Sequence, residues 1–251
     1  MTVFVHGGGV TRDEGGFFTR LADGLADAGI ASLRFDLRGH GESEGRQEEL
    51  TLAGVLADVD AAINASQELL GSLPVNLLAA SFSGGISAYY TVAHPGTVQR
   101  LVLINPLLNY RKRFVDDKPY WTNGQINEEA AARLAADGYL EHSPTFKLSR
   151  PLLNEVFYLR PHEALDQITL PVLIVHGTGD TFIPVESSRG LADCLGERAQ
   201  LVEIEGAQHG IAVPEDPKYL DPQTRAWQKQ TIGQIAAWLA EAAESDRKRV
   251  V

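Results

Sequence analysis

Six short apolar runs constrain this chain more than any other feature. They are Thr2–His6, Ile30–Phe35, the segment that starts at Pro74 and ends at Ala80, Arg100–Asn105, Pro171–His176 and Gln200–Glu205. Each is continuous rather than alternating, so each must be buried on both faces. Segments with helical spacing lie between them. Phe17, Leu21, Leu25 and Ala28 mark one over 16–29, stopped by Gly29. Leu52, Val55, Leu56, Val59 and Ile63 stripe another over Thr51–Leu70, and further helices fit at 84–93, 186–195 and 223–243. Strands that alternate with helices in this way predict an α/β fold: a mostly parallel sheet of about six strands, with helices on both faces.

The rhythm breaks once. Residues 106–160 hold Phe114, Tyr120, Trp121, Tyr139, Phe146, Phe157 and Tyr158, mixed charge and a helical patch at 127–137. So long an excursion between two sheet strands predicts a cap or lid. The chain thus divides into a core, 1–105 and 161–251, and a cap insertion, 106–160. A length of 251 residues, 44% hydrophobic, suits one globular domain with a full core. The polar tail over 244–251 is expected to fray.

The run that ends at Ala80 leads into Ser81-Phe82-Ser83-Gly84-Gly85 and then a helix. A strand, a tight turn carrying a serine and a helix make a nucleophile elbow. Such a turn forces its serine toward positive φ, so the residues two before and two after must be small. Around Ser83 those are Ser81 and Gly85, and the Gly84-Gly85 pair suits a turn into a helix N-terminus. Ser81, flanked by Ala79 and Ser83, is the alternative nucleophile.

Two later strand ends carry matching chemistry. The fifth strand runs into His176-Gly-Thr-Gly-Asp180, and the sixth into Glu205-Gly-Ala-Gln-His209-Gly210. The C-terminal ends of parallel strands share one edge, where ligands bind. Ser83, Asp180 and His209 therefore converge as nucleophile, orienting acid and base. Serine is a poor nucleophile unless a base takes its proton, and the acid holds the imidazole in the right tautomer. The oxyanion donors expected from this geometry are the N–H of Gly84, after the nucleophile, and that of Gly8 in His6-Gly7-Gly8-Gly9. Loss of such a donor typically raises the barrier by about 3 kcal/mol. His6 is expected to brace the loop. Asp36, Arg38, His40 and Ser43 shape the glycine-rich loop Asp36–Ser43, from which His40 could touch a substrate.

His6-Gly7-Gly8-Gly9, Asp36-Leu-Arg-Gly-His-Gly-Glu-Ser43, Ser81-Phe-Ser-Gly-Gly85, His176-Gly-Thr-Gly-Asp180 and Gly206-Ala-Gln-His209-Gly210 together resemble the α/β-hydrolase superfamily. The likeness is to its serine-aminopeptidase-like and cinnamoyl (feruloyl) esterase-like branch, and it covers nearly the whole chain outside 106–160. The order Ser, Asp, His is that of the family's triad. The resemblance implies an α/β-hydrolase fold, a nucleophile at Ser83, an acid at Asp180, a base at His209, oxyanion donors at Gly8 and Gly84, and ester, thioester or amide hydrolysis without metal or organic cofactor. Two departures stand out. Ser81 replaces the first motif glycine. The chain also opens at what is normally the family's third strand, so the antiparallel N-terminal hairpin is missing, from a short natural form or a truncated start. Without the hairpin, 30–35 becomes a sheet edge, whose unpaired backbone a partner subunit in a homodimer would cover.

These observations predict a serine hydrolase acting on a small-molecule acyl ester or thioester. Phe82, Tyr120, Trp121, Phe157 and Tyr158, with Phe114, are expected to shape an apolar acyl or aryl pocket. The same triad could instead serve an acyltransferase or cyclase, or cleave a carbon–carbon bond, and the fold has also been reused for ligand binding alone. A net charge of −11 argues against nucleic acid or an anionic membrane as partner. No transmembrane run or signal peptide is visible. A single cysteine, Cys194, excludes internal disulfides and thiolate metal clusters, and cytoplasm is the default compartment.

Overall fold

A computed structural model describes residues 1–71 and 75–249. In chain order the first half contributes β1 (Thr2–Val5), α1 (Phe17–Asp27), β2 (Ser32–Arg34), α2 (Leu52–Leu70), β3 (Asn76–Ala80), α3 (Ser83–Ala93) and β4 (Arg100–Ile104). The chain then leaves the sheet through a π-helical turn, Lys112–Asp116. Next come a hairpin of β5 (Trp121–Thr122) and β6 (Gln125–Ile126), α4 (Glu128–Asp137), a second hairpin of β7 (Tyr139–Ser143) and β8 (Phe146–Ser149), and α5 (Arg150–Glu155). It returns as β9 (Val172–Gly177), α6 (Glu186–Leu195), β10 (Ala199–Ile204) and α7 (Pro222–Arg249). Pro74, the expected start of the third strand, lies outside the described residues, as do Val250 and Val251 at the tail's end. The described part of the tail is helical to Arg249.

All six core strands are parallel, in the order β10-β9-β4-β3-β1-β2. The register explains why the four inner strands, β1, β3, β4 and β9, are apolar at most positions. Phe4, Leu78, Val102 and Leu173 stand side by side across four strands and face Phe17, Phe18, Leu21 and Leu25 of α1 and Ile235 and Leu239 of α7. One residue earlier, Val3, Leu77, Leu101 and Val172 form the opposite row, covered by α2, α3, α6 and the cap. Successive strand residues point to opposite faces, so two covered faces demand two apolar rows. Each fully buried Val, Leu or Phe contributes about 1.5–3 kcal/mol.

Strand β2 is the sheet edge, as expected for 30–35, and pairs with β1 alone among the described residues. Arg34 on this strand bonds Asp13 at 2.6 Å and Thr19 at 3.0 Å. A charged side chain of this kind blunts an edge against further strand pairing.

The loops after β9 and β10 are joined closely. Gly179 N–H donates to Ala207 O at 3.0 Å, Thr178 N–H to Ile204 O at 3.0 Å, and Gly206 N–H to Thr178 Oγ1 at 2.8 Å. A Cβ on Gly177 would lie 2.2 Å from Ala207 O, and one on Gly179 2.8 Å from Gly206 O. The glycines of His176-Gly-Thr-Gly-Asp180 thus serve backbone-to-backbone contact between two loops. Gly177→Ala should destabilise the fold by about 1–3 kcal/mol through overpacking. A thermal or urea unfolding curve measures this directly, and an unchanged midpoint would contradict it.

Candidate active site

The turn between β3 and α3 centres on Ser81, not on Ser83. Ser81 has φ +53°, in the left-handed region that costs a non-glycine residue energy. Its backbone is held on both sides. Ser81 N–H donates to Ile104 O at 2.9 Å, while Ser81 O accepts from Gly84 N–H at 3.0 Å and Leu107 N–H at 2.8 Å. Ala79 and Ser83 occupy the small-residue positions around it. This corrects the expectation for Ser83, which is already the first residue of α3 and fully buried. The Ser83 hydroxyl hydrogen is shared between Val5 O at 2.9 Å and Ala80 O at 3.0 Å, and so ties the end of β1 to the elbow.

The misleading signal was Gly84-Gly85. Neither glycine makes the turn. A Cβ on Gly84 would lie 2.5 Å from Pro106 Cβ, and one on Gly85 would lie 2.6 Å from Leu107 O. Both let α3 lie against the segment that leaves β4. The signal that identifies Ser81 is position: it is the first residue past Ala80, as His6 follows Val5 and Asn105 follows Ile104.

His209 Nε2 lies 2.8 Å from Ser81 Oγ, and His209 Nδ1 lies 2.7 Å from Asp180 Oδ2. Serine, imidazole and carboxylate form one hydrogen-bonded line, so Asp180 and His209 stand where the sequence placed them, with Ser81 in place of Ser83. The Asp180 carboxylate is fully buried. It accepts from Asn105 Nδ2 at 2.7 Å, Phe182 N–H at 2.8 Å and Ile183 N–H at 2.9 Å. Burial alone would push this carboxyl up. Hydrogen bonds from His176 and His209, the adjacent imidazole charge and the Ile183 N–H outweigh it and hold the group well below the usual carboxylate range. Asn105, at φ +43° just past β4, was not identified from sequence.

The oxyanion assignment shifts with the nucleophile. Gly84 N–H is occupied by Ser81 O, so it is not a free donor, contrary to expectation. The residue after Ser81 is Phe82, at the N-cap position of α3, where helix N–H groups lack intrahelical partners. Gly8 N–H makes no hydrogen bond among the described residues, and Gly8 lines the cleft with Ser81. A Cβ there would lie 2.8 Å from the Phe146 ring. Phe82 N–H likewise makes no hydrogen bond among the described residues.

The polar groups of the supporting loops are tied to one another and to backbone. His6 Nε2 accepts from Leu37 N–H at 2.9 Å and its Nδ1–H donates to Gly7 O at 2.7 Å. Burial pushes this imidazole down to about 4. His40 Nε2 accepts from Gly9 N–H at 3.1 Å and its Nδ1–H donates to Arg38 O at 3.0 Å, which leaves no ring nitrogen for a substrate. Asp36 accepts from Arg12 N–H and Glu42 N–H, while Ser43 Oγ donates to Asp36 O. Arg38 pairs with Asp58. Beneath this loop sits Glu14, buried at φ +45°, whose Oε2 accepts from Gly7 N–H at 2.8 Å. Burial pushes its carboxyl up to about 7, against the lowering effect of that N–H.

The cleft over Ser81 is lined by Gly8, Phe82, Leu107, Arg113, Phe114, His142, Ser143, Phe146, Phe182 and Ile183, around about 320 Å³ of empty space. Of the expected pocket residues, Phe82 and Phe114 are here. Trp121 and Phe157 instead pack on each other at 5.6 Å, Tyr120 lines a separate hollow with α4, and Tyr158 is 81% exposed. The cap turns a different aromatic set inward because β7, β8 and the π-helical turn face the elbow. Among the described residues no cluster of His, Cys, Asp and Glu could hold a metal ion, and no helix is long and apolar enough to cross a membrane.

Comparisons with known proteins agree with this architecture. A family model described as serine aminopeptidase, S33, matches residues 1–126, half of the 251. A monoacylglycerol lipase of Mycolicibacterium smegmatis is 25% identical over 250 residues, covering 90% of this chain and 87% of its own length. The non-heme chloroperoxidase CPO-A1 of Kitasatospora aureofaciens is 25% identical over 248 residues, covering 85% and 86%. Among solved structures, Est1E of Butyrivibrio proteoclasticus with bound ferulic acid superposes with a TM-score of 0.72 at 22% identity, over 94% of this chain and 89% of its own. A monoacylglycerol lipase of Paleococcus ferrophilus gives a TM-score of 0.67 at 24% identity, over 96% and 93%.

The Glu14 environment has a measurable consequence. Its folded pKa, about 7, lies above its ordinary 4.5, so the fold favours the protonated acid. That contribution is fully present below pH 4.5 and is lost as pH rises through 7. Glu14→Gln should therefore gain stability relative to the native protein between pH 5 and pH 8. Melting temperatures measured across that window test this, and a constant difference would contradict it.

Proposed function

The chain belongs to the serine aminopeptidase S33 family of α/β-hydrolases, and on that footing we propose that it is a serine hydrolase cleaving a small-molecule ester or thioester through an acyl-enzyme. The observation that carries this reading is the line from Ser81 Oγ through His209 to Asp180, at 2.8 and 2.7 Å. His209 Nε2 takes the Ser81 proton as Oγ attacks the substrate carbonyl. The tetrahedral oxyanion is received by Gly8 N–H and Phe82 N–H. Collapse expels the alcohol or thiol, protonated by His209. Water then attacks the acyl-enzyme with His209 as base, releasing the acid and restoring Ser81. Asp180, held ionised, stabilises the imidazolium in both halves of the cycle. The ester-cleaving names borne by several relatives support this reaction class.

A fluorophosphonate probe should label the native protein stoichiometrically. Labelling should vanish in Ser81→Ala and persist in Ser83→Ala, which should instead lose about 1 kcal/mol of stability as its buried hydroxyl goes. Labelling lost only in Ser83→Ala would reverse the assignment. Asp180→Asn should lower turnover of a p-nitrophenyl ester by about four orders of magnitude; turnover near that of the native protein would remove Asp180 from its role.

A further inference from the structure

The turn Lys112–Asp116 enters the cap directly above the elbow and carries three cations in a row, Arg111, Lys112 and Arg113. Two of them have carboxylate partners close in sequence. Arg111 Nε lies 3.5 Å from Asp116, and Lys112 Nζ lies 2.5 Å from Asp117. Arg113 has none. Its side chain makes no hydrogen bond or ion pair among the described residues, and its Nε is buried without a partner. The guanidinium instead lies 4.1 Å from the centre of the Phe182 ring, inside the cleft that holds Ser81. Phe182 in turn lies 5.0 Å from the His209 ring.

Three features give this cation meaning. A half-buried guanidinium whose Nε–H is buried without a partner is costly, and a cation–π contact offsets it only in part. The chain carries 33 acidic residues against 22 basic ones, yet among the described residues none forms an ion pair with Arg113. The nearest acids are committed elsewhere, Asp117 to Lys112 and Asp180 to His209, Asn105 and two backbone N–H groups. Burial disfavours the charged form of Arg113 more than the charges of Asp117 and Asp180 favour it. Lys118, without an ion pair among the described residues, is close enough for its charge and that of Arg113 to oppose protonation of His142. His142 also lines the cleft, and its Nδ1 is buried without a partner.

We propose that Arg113 is a specificity-determining residue, and that the substrate carries a carboxylate a few bonds from its scissile carbonyl, which Arg113 receives as Ser81 attacks. The planar fork of a guanidinium matches a carboxylate with two parallel N–H···O bonds. This substrate class rests on the hydrolase reading above.

The test pairs matched esters: 4-nitrophenyl hemiglutarate against 4-nitrophenyl pentanoate for the acyl side, and 3-carboxyphenyl butyrate against phenyl butyrate for the alcohol side. A charge-assisted hydrogen-bonded pair corresponds to about tenfold to a hundredfold. The native protein should favour the anionic member of one pair by that factor in kcat/KM, and the favoured pair identifies the side. Arg113→Gln should abolish the preference, Arg113→Lys should keep part of it, and Lys112→Gln, with the same charge change outside the cleft, should leave the ratio as it was. Calorimetric titration of Ser81→Ala with monomethyl glutarate and with butyl phosphate gives a readout without turnover. Monomethyl glutarate should bind, and its affinity should fall at least tenfold when Arg113→Gln is added. If no ester is cleaved but that binding holds, the carboxylate site stands and the hydrolase reading fails. If esters are cleaved through Ser81 with no anionic preference, or with one that survives Arg113→Gln, the carboxylate site is overturned and the hydrolase reading stands. Tighter binding of butyl phosphate overturns the carboxylate assignment.

Discussion

The backbone of Ser81, at φ +53°, is the constraint on which the rest of the site depends. A serine in that conformation is strained and persists only where its surroundings over-determine it. Here they do so from three sides. Strand β4 supplies Ile104 O, the segment after it supplies Leu107 N–H, and α3 supplies Gly84 N–H. The first strand contributes as well, because Val5 O receives the hydroxyl of Ser83 one turn further on. The strain aims Ser81 Oγ out of the sheet edge toward His209. Glycines at 7, 8, 84 and 85 then follow as needs of close approach: Cβ atoms there would meet Ser81, Phe146, Pro106 and Leu107.

Electrostatics divides the site into two halves. On the sheet's side of the cleft the titratable groups are hydrogen-bonded. Asp180 is surrounded by donors, and the imidazoles of His6 and His40 each use both ring nitrogens on backbone. Such saturation is what a water-poor interior requires of buried polar atoms. On the cap's side of the cleft, Arg113 Nε and His142 Nδ1 are buried and idle.

Much of this was legible from residues alone. Continuous apolar runs at six places required a parallel sheet covered on both faces, and the register bears that out row by row. Asp180 and His209 were legible because each sits just past a strand end, where parallel topology leaves little freedom. The edge strand at 30–35 came from the family resemblance and its strand order, not from the spacing of the apolar runs. The excursion over 106–160 was legible as an interruption but not in its facing, and so Trp121, Tyr120, Phe157 and Tyr158 stood in for Phe146, while Phe182 comes from the loop after β9. Which aromatics turn inward depends on how two short hairpins and a π-helical turn dock, and no periodicity records that.

By itself, the sequence determined the alternation of strands and helices, the shared edge of the parallel strands, and the carboxylate and imidazole that stand on it. These are local patterns, read from spacing and from residues that follow strands. Only the tertiary structure decided between Ser81 and Ser83, two residues apart and both flanked by small neighbours. That choice depends on where β3 ends against β1 and β4, and on a glycine pair whose purpose is to admit Pro106 and Leu107. It also decided that Arg111 and Lys112 have carboxylate partners while Arg113 has none, because an ion pair depends on where side chains meet in space and not on their order along the chain.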